Sequence, residues 1–241
     1  MMDGAYAYPG GELELFEQAR NWKRYWAARI RPFLGETVAE VGAGIGTNTR
    51  TLISSRTRWT CIEPDGALAA RIERLIAQRQ LGANCAVQGT TLAGLPPSSR
   101  FDTILYIDVL EHIVDDRGEL AEAARRLNPQ GYLVVLSPAH QWLFTAFDSA
   151  IGHVRRYTAK SLRALSPPGL RPRLFQYLDS VGLLASLANA VILKASLPTP
   201  AQVQLWDRAM VPLSRFLDPL TGFRVGKSVL AVWQAPETAA P

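Results

Sequence analysis

The sequence contains little of what would indicate a disulfide scaffold or a zinc protein. Its 241 residues include only two cysteines, Cys61 and Cys85, and neither belongs to a CxxC or Cys/His pair with metal-ligand spacing. The first residues lack a basic stretch followed by an apolar run, so we expect no secretory signal and a cytoplasmic location. No metal site is predicted.

Long apolar runs and runs of like charge are missing as well. The longest apolar stretch, Val181–Leu193, is shorter than the roughly twenty residues that a membrane-spanning helix needs. It predicts a buried helix or one that lies on a membrane surface. The formal net charge is +5, but the arginines are scattered, which is typical of a solvated surface and disfavours nucleic acid as a partner. With 48% hydrophobic residues, the chain can form a sizeable globular core.

Strands and helices alternate along most of the chain. Seven β-rich segments are predicted, at 37–41, 58–63, 83–88, 101–107, 131–137, 171–177 and 227–234. Helical patterns follow the first, second and fourth of them, and this alternation is typical of a parallel sheet built from right-handed crossover units. We therefore expect an α/β fold, Rossmann-like, with a seven-stranded, mostly parallel sheet and helices on both faces.

The same pattern divides the chain into four parts. They are an N-terminal helical cover at 1–35, an α/β core at 36–178, a helical insertion at 179–224, and the last strand with the tail at 225–241. The insertion is rich in leucine and precedes the last strand. It is suited to completing a ligand pocket, forming a dimer face or docking peripherally on a membrane, and the sequence does not decide between these roles.

A glycine-rich turn follows the first predicted strand. The run from Glu40 to Gly46 reads E-V-G-A-G-I-G, and glycines permit both unusual dihedral angles and close approach of a ligand to the backbone. Glu63 ends the second predicted strand, where a carboxylate can accept hydrogen bonds from two adjacent ribose hydroxyls. A dinucleotide fingerprint would need a third glycine at position 47, where Thr47 stands.

This E-x-G-x-G-x-G run, with the V-L-E-H-I segment at 109–113, resembles the class I S-adenosylmethionine-dependent methyltransferases. The resemblance implies that the cofactor is S-adenosylmethionine, with S-adenosylhomocysteine as product. It also implies a set of cofactor-binding residues: Glu40, Gly42, Gly44 and Gly46 for the methionine part, Glu63 for the ribose, and Pro64, Thr90, Asp108 and Val109 as further contacts.

The segment at 147–157 resembles an F-D-x-x-x-G-H-x-R-R-Y stretch of a bacterial subgroup of that family. Histidine titrates in the range that suits a general base, so His153 or His140 is the candidate base, with Tyr157 orienting the acceptor. On a helix, His153 and Tyr157 would share a face. The alternative is that His153 belongs to a structural network. Trp22 and Trp142 are candidate contacts to the acceptor.

Two neighbouring enzyme classes are disfavoured. The residues after the fourth strand contain no proline–aromatic motif of the kind that grips a flipped base, and Tyr157 and Lys160 lack the four-residue spacing of short-chain dehydrogenases. The resemblance therefore implies methyl transfer to an oxygen or nitrogen of a small molecule, in specialised-metabolite biosynthesis. Two alternatives stay open: a lipid-linked or glycoconjugate acceptor at a membrane surface, and a regulatory protein that binds the cofactor without turnover.

Overall fold

A computed structural model describes residues 8, 10–188 and 199–237, and a seven-stranded sheet forms its centre. The strands are β1 (Thr37–Val41), β2 (Arg58–Ile62), β3 (Cys85–Gln88), β4 (Phe101–Ile107), β5 (Leu127–Pro138), β6 (Arg171–Leu178) and β7 (Ser228–Gln234). Their order is β3-β2-β1-β4-β5-β7-β6. All neighbouring pairs among β1–β5 are parallel, whereas β7 runs antiparallel to β5 and β6. The predicted Rossmann-like fold is confirmed.

Helices lie along the chain between these strands. They are α1 (Leu13–Glu17), α2 (Arg20–Ile30), α3 (Thr47–Leu52), α4 (Gly66–Ala77), α5 (Asp116–Arg125), α6 (Ala146–Ala150), α7 (Ala159–Ala164), α8 (Ser180–Ala188), α9 (Pro200–Leu205) and α10 (Val211–Leu220). A π-helical turn, Trp206–Met210, joins α9 to α10. The apolar stretch at 181–193 continues beyond α8 into residues 189–198, which lie outside the described part of the chain.

The N-terminal apolar pattern forms two helices rather than one. The interruption falls at Ala19, whose ψ of 69° is not helical. The start of α2 then presents backbone N–H groups that have no partner within the helix. The carboxylate of Asp207 accepts two of them, from Asn21 at 3.2 Å and from Trp22 at 2.8 Å. A contact distant in sequence therefore fixes where α2 begins.

The core occupies both faces of the sheet. In β4, Leu105 belongs to one apolar cluster, while Ile104 and Tyr106 belong to the other. This alternation follows from the two-residue period of a strand, and it explains why β4 is almost entirely apolar. Trp59 and Trp233 are among the largest fully buried side chains. No helix of the described chain is long and apolar enough to cross a membrane.

The helices between β6 and β7 are tied to the N-terminal helix α2 by buried carboxylates. Besides the Asp207 contacts, Asp218 accepts a hydrogen bond from the Tyr25 hydroxyl at 2.6 Å and from the Asp179 backbone at 2.7 Å. Buried carboxylates are stable only when such donors satisfy them. We propose that the described parts of the N-terminal cover and of the insertion at 179–224 act together as a cover over the sheet.

Candidate functional site

A cavity of about 1120 Å³ lies where β1, β2 and β4 end. In open α/β sheets, ligands bind outside the carboxyl ends of the strands. The loops after these strands line the cavity, and so do residues of α2, α8 and the turn Trp206–Met210. Its volume exceeds what one drug-sized ligand usually occupies, so a cofactor and an acceptor can share it.

The glycine turn forms the floor of this cavity between β1 and α3. Gly42, Gly44 and Gly46 all have positive φ, at +66°, +56° and +76°. A Cβ atom at Gly42 would come within 2.6 Å of the Val109 side chain. Glycine is therefore required there both for the backbone conformation and for the close crossing of the loop after β4.

Glu63 lines the cavity directly after β2. One carboxylate oxygen accepts a hydrogen bond from the Gly44 N–H at 2.8 Å, and the other accepts one from the Asp65 N–H at 2.9 Å. Burial raises the pKa of this carboxyl, and the two backbone hydrogen bonds oppose that shift. Each oxygen retains capacity for a further hydrogen bond, so the carboxylate is positioned to accept two from a ligand.

Glu40 lies behind the glycine turn and does not line the cavity. The Thr49 hydroxyl and the Trp59 indole N–H both donate to its Oε2, at 2.6 Å and 2.9 Å. Its Oε1 is buried and has no hydrogen-bond partner among the described residues. Burial raises the pKa of Glu40 to about 7. Its contacts link β1, β2 and α3 around the turn.

We expect replacement of Glu40 by glutamine to flatten the pH dependence of stability. A carboxyl with a raised pKa in the folded state binds its proton more tightly there than in the unfolded state. Its contribution to the free energy of unfolding is therefore fully present below about 4.5 and is lost as the pH rises through about 7. The loss amounts to about 3 kcal/mol.

Urea unfolding of the wild type and Glu40→Gln, without cofactor, measures this effect at pH 5 and pH 8. The glutamine retains an oxygen for Thr49 and Trp59, so the contacts of Glu40 are kept while its charge is removed. The stability of the variant relative to the wild type should increase between the two pH values. An equal difference at both would show that Glu40 ionises normally.

A second polar cluster is centred on Asp148, at the start of α6. Its carboxylate accepts a hydrogen bond from His153 Nδ1 at 2.8 Å and two from the Arg156 guanidinium at 2.8 and 2.9 Å. The Thr145 backbone N–H also donates to it. Burial alone would raise the pKa of Asp148. The hydrogen bonds from His153 and Arg156 outweigh burial and hold this pKa well below its ordinary value. A carboxylate only accepts, so Nδ1 of His153 carries the proton and Nε2 is left as an acceptor.

The surroundings of His153 are buried and acidic. Glu111 Oε1 has no hydrogen-bond partner among the described residues and lies 3.8 Å from His153 Nε2. Burial raises the pKa of Glu111 well above its ordinary value, and it lowers the pKa of His112 to about 4. Asp108, in a left-handed conformation at φ +55°, lines the cavity, and burial raises its pKa to about 6. Polar atoms of Glu111, His112 and His153 lie within 4.8 Å of one another. This spacing is close enough for the three side chains to hold a small cation.

The cavity brings together eight of the residues proposed from the sequence. They are Trp22, Gly42, Gly44, Glu63, Pro64, Asp108, Val109 and His153. Six others are described in the structure but do not line it: Glu40, Gly46, Thr90, His140, Trp142 and Tyr157.

Three of these six are engaged elsewhere. His140 stacks on Tyr177 with ring centroids 5.0 Å apart, and Trp142 is 58% exposed and stacks on His140. The Tyr157 hydroxyl donates to Asp116 at 2.8 Å. The prediction that His153 and Tyr157 share one face of a helix is wrong, because Tyr157 forms a parallel β-bridge with Ala139.

Three cavity residues carry no signal in the sequence. The amine of Lys23, on α2, donates to the Phe16 carbonyl at 3.1 Å. The backbone of Tyr8 donates to Asp65 at 2.8 Å, and its ring meets His112 edge-on. Lys227 lies 3.9 Å from the Trp206 ring centroid and 3.5 Å from Asp179. All three residues line the cavity. Tyr8 and Lys227 are held there by contacts with residues distant in sequence, Asp65 and Asp179.

Comparison with protein families gives a match over residues 39–133 to a family model described as "Methyltransferase domain". This range includes the glycine turn, Glu63 and the V-L-E-H-I segment. The predicted resemblance to the class I methyltransferases is confirmed.

Two curated relatives have names that refer to quinones. A demethylmenaquinone methyltransferase of Tropheryma whipplei is 33% identical over 144 residues, which are 59% of either chain. A ubiquinone biosynthesis O-methyltransferase of Paramagnetospirillum magneticum is 33% identical over 102 residues, 42% of this chain and 40% of that protein. The chain thus matches less than two thirds of the length of either relative.

Among solved structures, coclaurine N-methyltransferase bound to N-methylheliamine and S-adenosylhomocysteine aligns with a TM-score of 0.61. The alignment covers 90% of this chain and 72% of that one, at 14% identity. At this identity the likeness shows the fold.

Proposed function

We propose that the protein, whose residues 39–133 match a family model described as "Methyltransferase domain", transfers the methyl group of S-adenosylmethionine to a hydroxyl oxygen of a small, ring-containing acceptor. The observation that carries this proposal is the position of Glu63 and His153 in one cavity. Glu63 is suited to hold a nucleoside, and His153 is suited to accept a proton. A site that only bound the cofactor would not need a proton acceptor.

The residues present fit the cofactor. The glycine turn leaves the backbone accessible, and Glu63 offers two oxygens where a ribose with adjacent hydroxyls would lie. Pro64 and Leu68 line the cavity beyond it and supply an apolar wall for a base. Lys23 also lines the cavity. Burial lowers the pKa of its amine, and the negative charge of Asp108 opposes that shift.

The names of the two curated relatives support a quinone-like or phenolic acceptor. The cavity supports it too, because Trp22, Met210 and Trp206 form an apolar wall against which a planar ring can pack. The ring centroids of Trp22 and Trp206 are 5.7 Å apart. We propose an oxygen acceptor because His153 is placed to receive the proton of a hydroxyl group.

The chemistry requires alignment and one proton acceptor. When bound, S-adenosylmethionine supplies a methyl carbon already activated by its sulfonium. Holding the acceptor in line with that carbon contributes up to roughly 7–11 kcal/mol in favourable cases. His153 Nε2 would accept the proton of the acceptor hydroxyl. The oxygen–methyl bond would replace the methyl–sulfur bond, and the sulfur would leave as the neutral thioether of S-adenosylhomocysteine. Asp148 holds the ring and stabilises the imidazolium that results.

We propose that Lys23 binds the carboxylate of the methionine part of the cofactor. The change Lys23→Met retains the length of the side chain and removes its charge. It should weaken binding of S-adenosylhomocysteine by about tenfold or more, since a hydrogen bond to a charged group contributes about 1.5–3 kcal/mol.

Methylthioadenosine, which has no carboxylate, is the matched ligand for this test. Its affinity, measured by calorimetry, should be the same for the wild type and Lys23→Met. If both ligands lost affinity equally, Lys23 would act on the shape of the cavity and not on the carboxylate.

The proposed function itself is tested by incubating the protein with S-adenosylmethionine and a set of hydroquinones and catechols. Formation of S-adenosylhomocysteine that depends on the acceptor is the expected result. Tight binding of the cofactor with no transfer to any hydroxyl, amine or carbon acceptor would instead favour the regulatory alternative.

A further inference from the structure

The segment formed by α9, the turn Trp206–Met210 and α10 has an apolar outer surface. Leu205, Leu213, Phe216 and Leu220 are exposed, and Phe216 and Leu220 are 68% and 73% accessible. The three- and four-residue spacings within α10 place Leu213, Phe216 and Leu220 on one side of that helix. We call this set the outer stripe.

The inner side of the same segment also carries apolar side chains. Val203, Trp206 and Val211 are buried against the core cluster that includes α2. Contiguous exposed apolar surface like that of the outer stripe marks an interaction site.

The charges of this segment indicate what covers it. Residues 199–226 contain five charged side chains. The two acidic ones, Asp207 and Asp218, are buried and accept hydrogen bonds from Trp22 and Tyr25 of α2. The three basic ones are all exposed, namely Arg208, Arg215 and Arg224. The outer surface is thus apolar and purely cationic, which complements an anionic lipid surface.

The same helices form a wall of the cavity. Leu205, Trp206 and Met210 line it from the segment that carries the outer stripe. Helix α8, which packs against α10, lines it through Ala185 and exposes Leu184 on its surface. An acceptor dissolved in a bilayer would meet these helices before it reached His153.

We propose that the outer stripe docks on the surface of an anionic bilayer and that the acceptor is a lipid-linked molecule taken up from it. This inference rests on the proposed function for the nature of the acceptor, but docking itself does not. The side chains of Phe216 and Leu220 enter the acyl region, while the three arginines face the lipid phosphates.

Flotation with vesicles tests the docking, using the full chain without cofactor. The protein should float with vesicles of phosphatidylcholine and phosphatidylglycerol at 7:3, and much less with phosphatidylcholine alone. The double variant Phe216→Glu/Leu220→Glu should weaken binding by on the order of thirtyfold or more, because the apolar contact is replaced by charge. Val114→Glu is the matched control, since Val114 is 77% exposed and lies outside the outer stripe.

The arginines provide a second, independent set of variants. Each of Arg208→Gln and Arg215→Gln should weaken binding to the anionic vesicles about fivefold. Arg74→Gln, on the exposed surface of α4, should leave it unchanged. Melting temperatures close to that of the wild type would show that the variants are folded.

Three results would overturn the proposal. They are no binding by the wild type, binding that the double variant retains, and a wild-type dimer that this variant dissociates without any vesicle binding. The last would identify the stripe as a contact between two copies of the chain. Methylation of a water-soluble hydroquinone does not require docking on a bilayer. Its rate therefore tests the proposed function separately from the docking proposal.

Discussion

Replacing Glu63 with alanine is expected to weaken the binding of S-adenosylhomocysteine by at least about 100-fold. Two hydrogen bonds from ribose hydroxyls to one carboxylate contribute about 1.5–3 kcal/mol each, and about 1.4 kcal/mol corresponds to a factor of ten. The change also frees the N–H groups of Gly44 and Asp65, which loosens the turn that faces the cofactor. Isothermal titration calorimetry measures the loss.

Two further variants make this result specific. Glu63→Gln retains one acceptor oxygen and should give an intermediate affinity. Glu73→Ala removes an exposed carboxylate from α4 and should bind as the wild type does. An affinity of Glu63→Ala within a few-fold of the wild type would place the ribose elsewhere.

Replacing His153 with alanine is expected to lower kcat by on the order of 10²–10⁴, the usual contribution of a positioned general base. The affinity for S-adenosylhomocysteine should not change, because the proposed contacts of the cofactor lie at Glu63 and the glycine turn. Initial rates with a hydroquinone acceptor measure the loss of kcat, and calorimetric titration with S-adenosylhomocysteine measures the affinity.

His140→Ala distinguishes the two histidines that the sequence suggests as the base. His140 bonds to the Gly226 carbonyl at 3.0 Å and stacks on Tyr177, outside the cavity. Its loss should change kcat little. Full turnover by His153→Ala with an unaltered pH profile would remove His153 as the base and leave it a structural partner of Asp148.

The sheet and the cofactor end of the cavity were predictable because their signals are local. The apolar run of β4 and the glycines after β1 are recognised from neighbouring positions, and the structure confirms the strands to within a few residues. Glu63 was proposed from its place at the end of β2. Its side chain faces the cavity because Gly44 and Asp65 hold its two oxygens.

The rest of the site depends on contacts between distant segments. Lys23 and Tyr8 reach the cavity only because Asp207 and Asp65 fix the backbone near them. Tyr157 turns toward α5 because its backbone pairs with the end of β5. None of these pairings is visible as a spacing in the sequence, which explains why the sequence does not reveal that His140, Trp142 and Tyr157 lie outside the cavity.

The central claim is that the turn after β1 and Glu63 together hold a nucleoside-linked sulfonium amino acid. Calorimetric titration of the full chain with S-adenosylhomocysteine, and in parallel with NAD⁺, tests it most directly. The account predicts saturable binding of one S-adenosylhomocysteine per chain and no binding of NAD⁺. No heat from S-adenosylhomocysteine at millimolar concentration, or equal binding of NAD⁺, would contradict it.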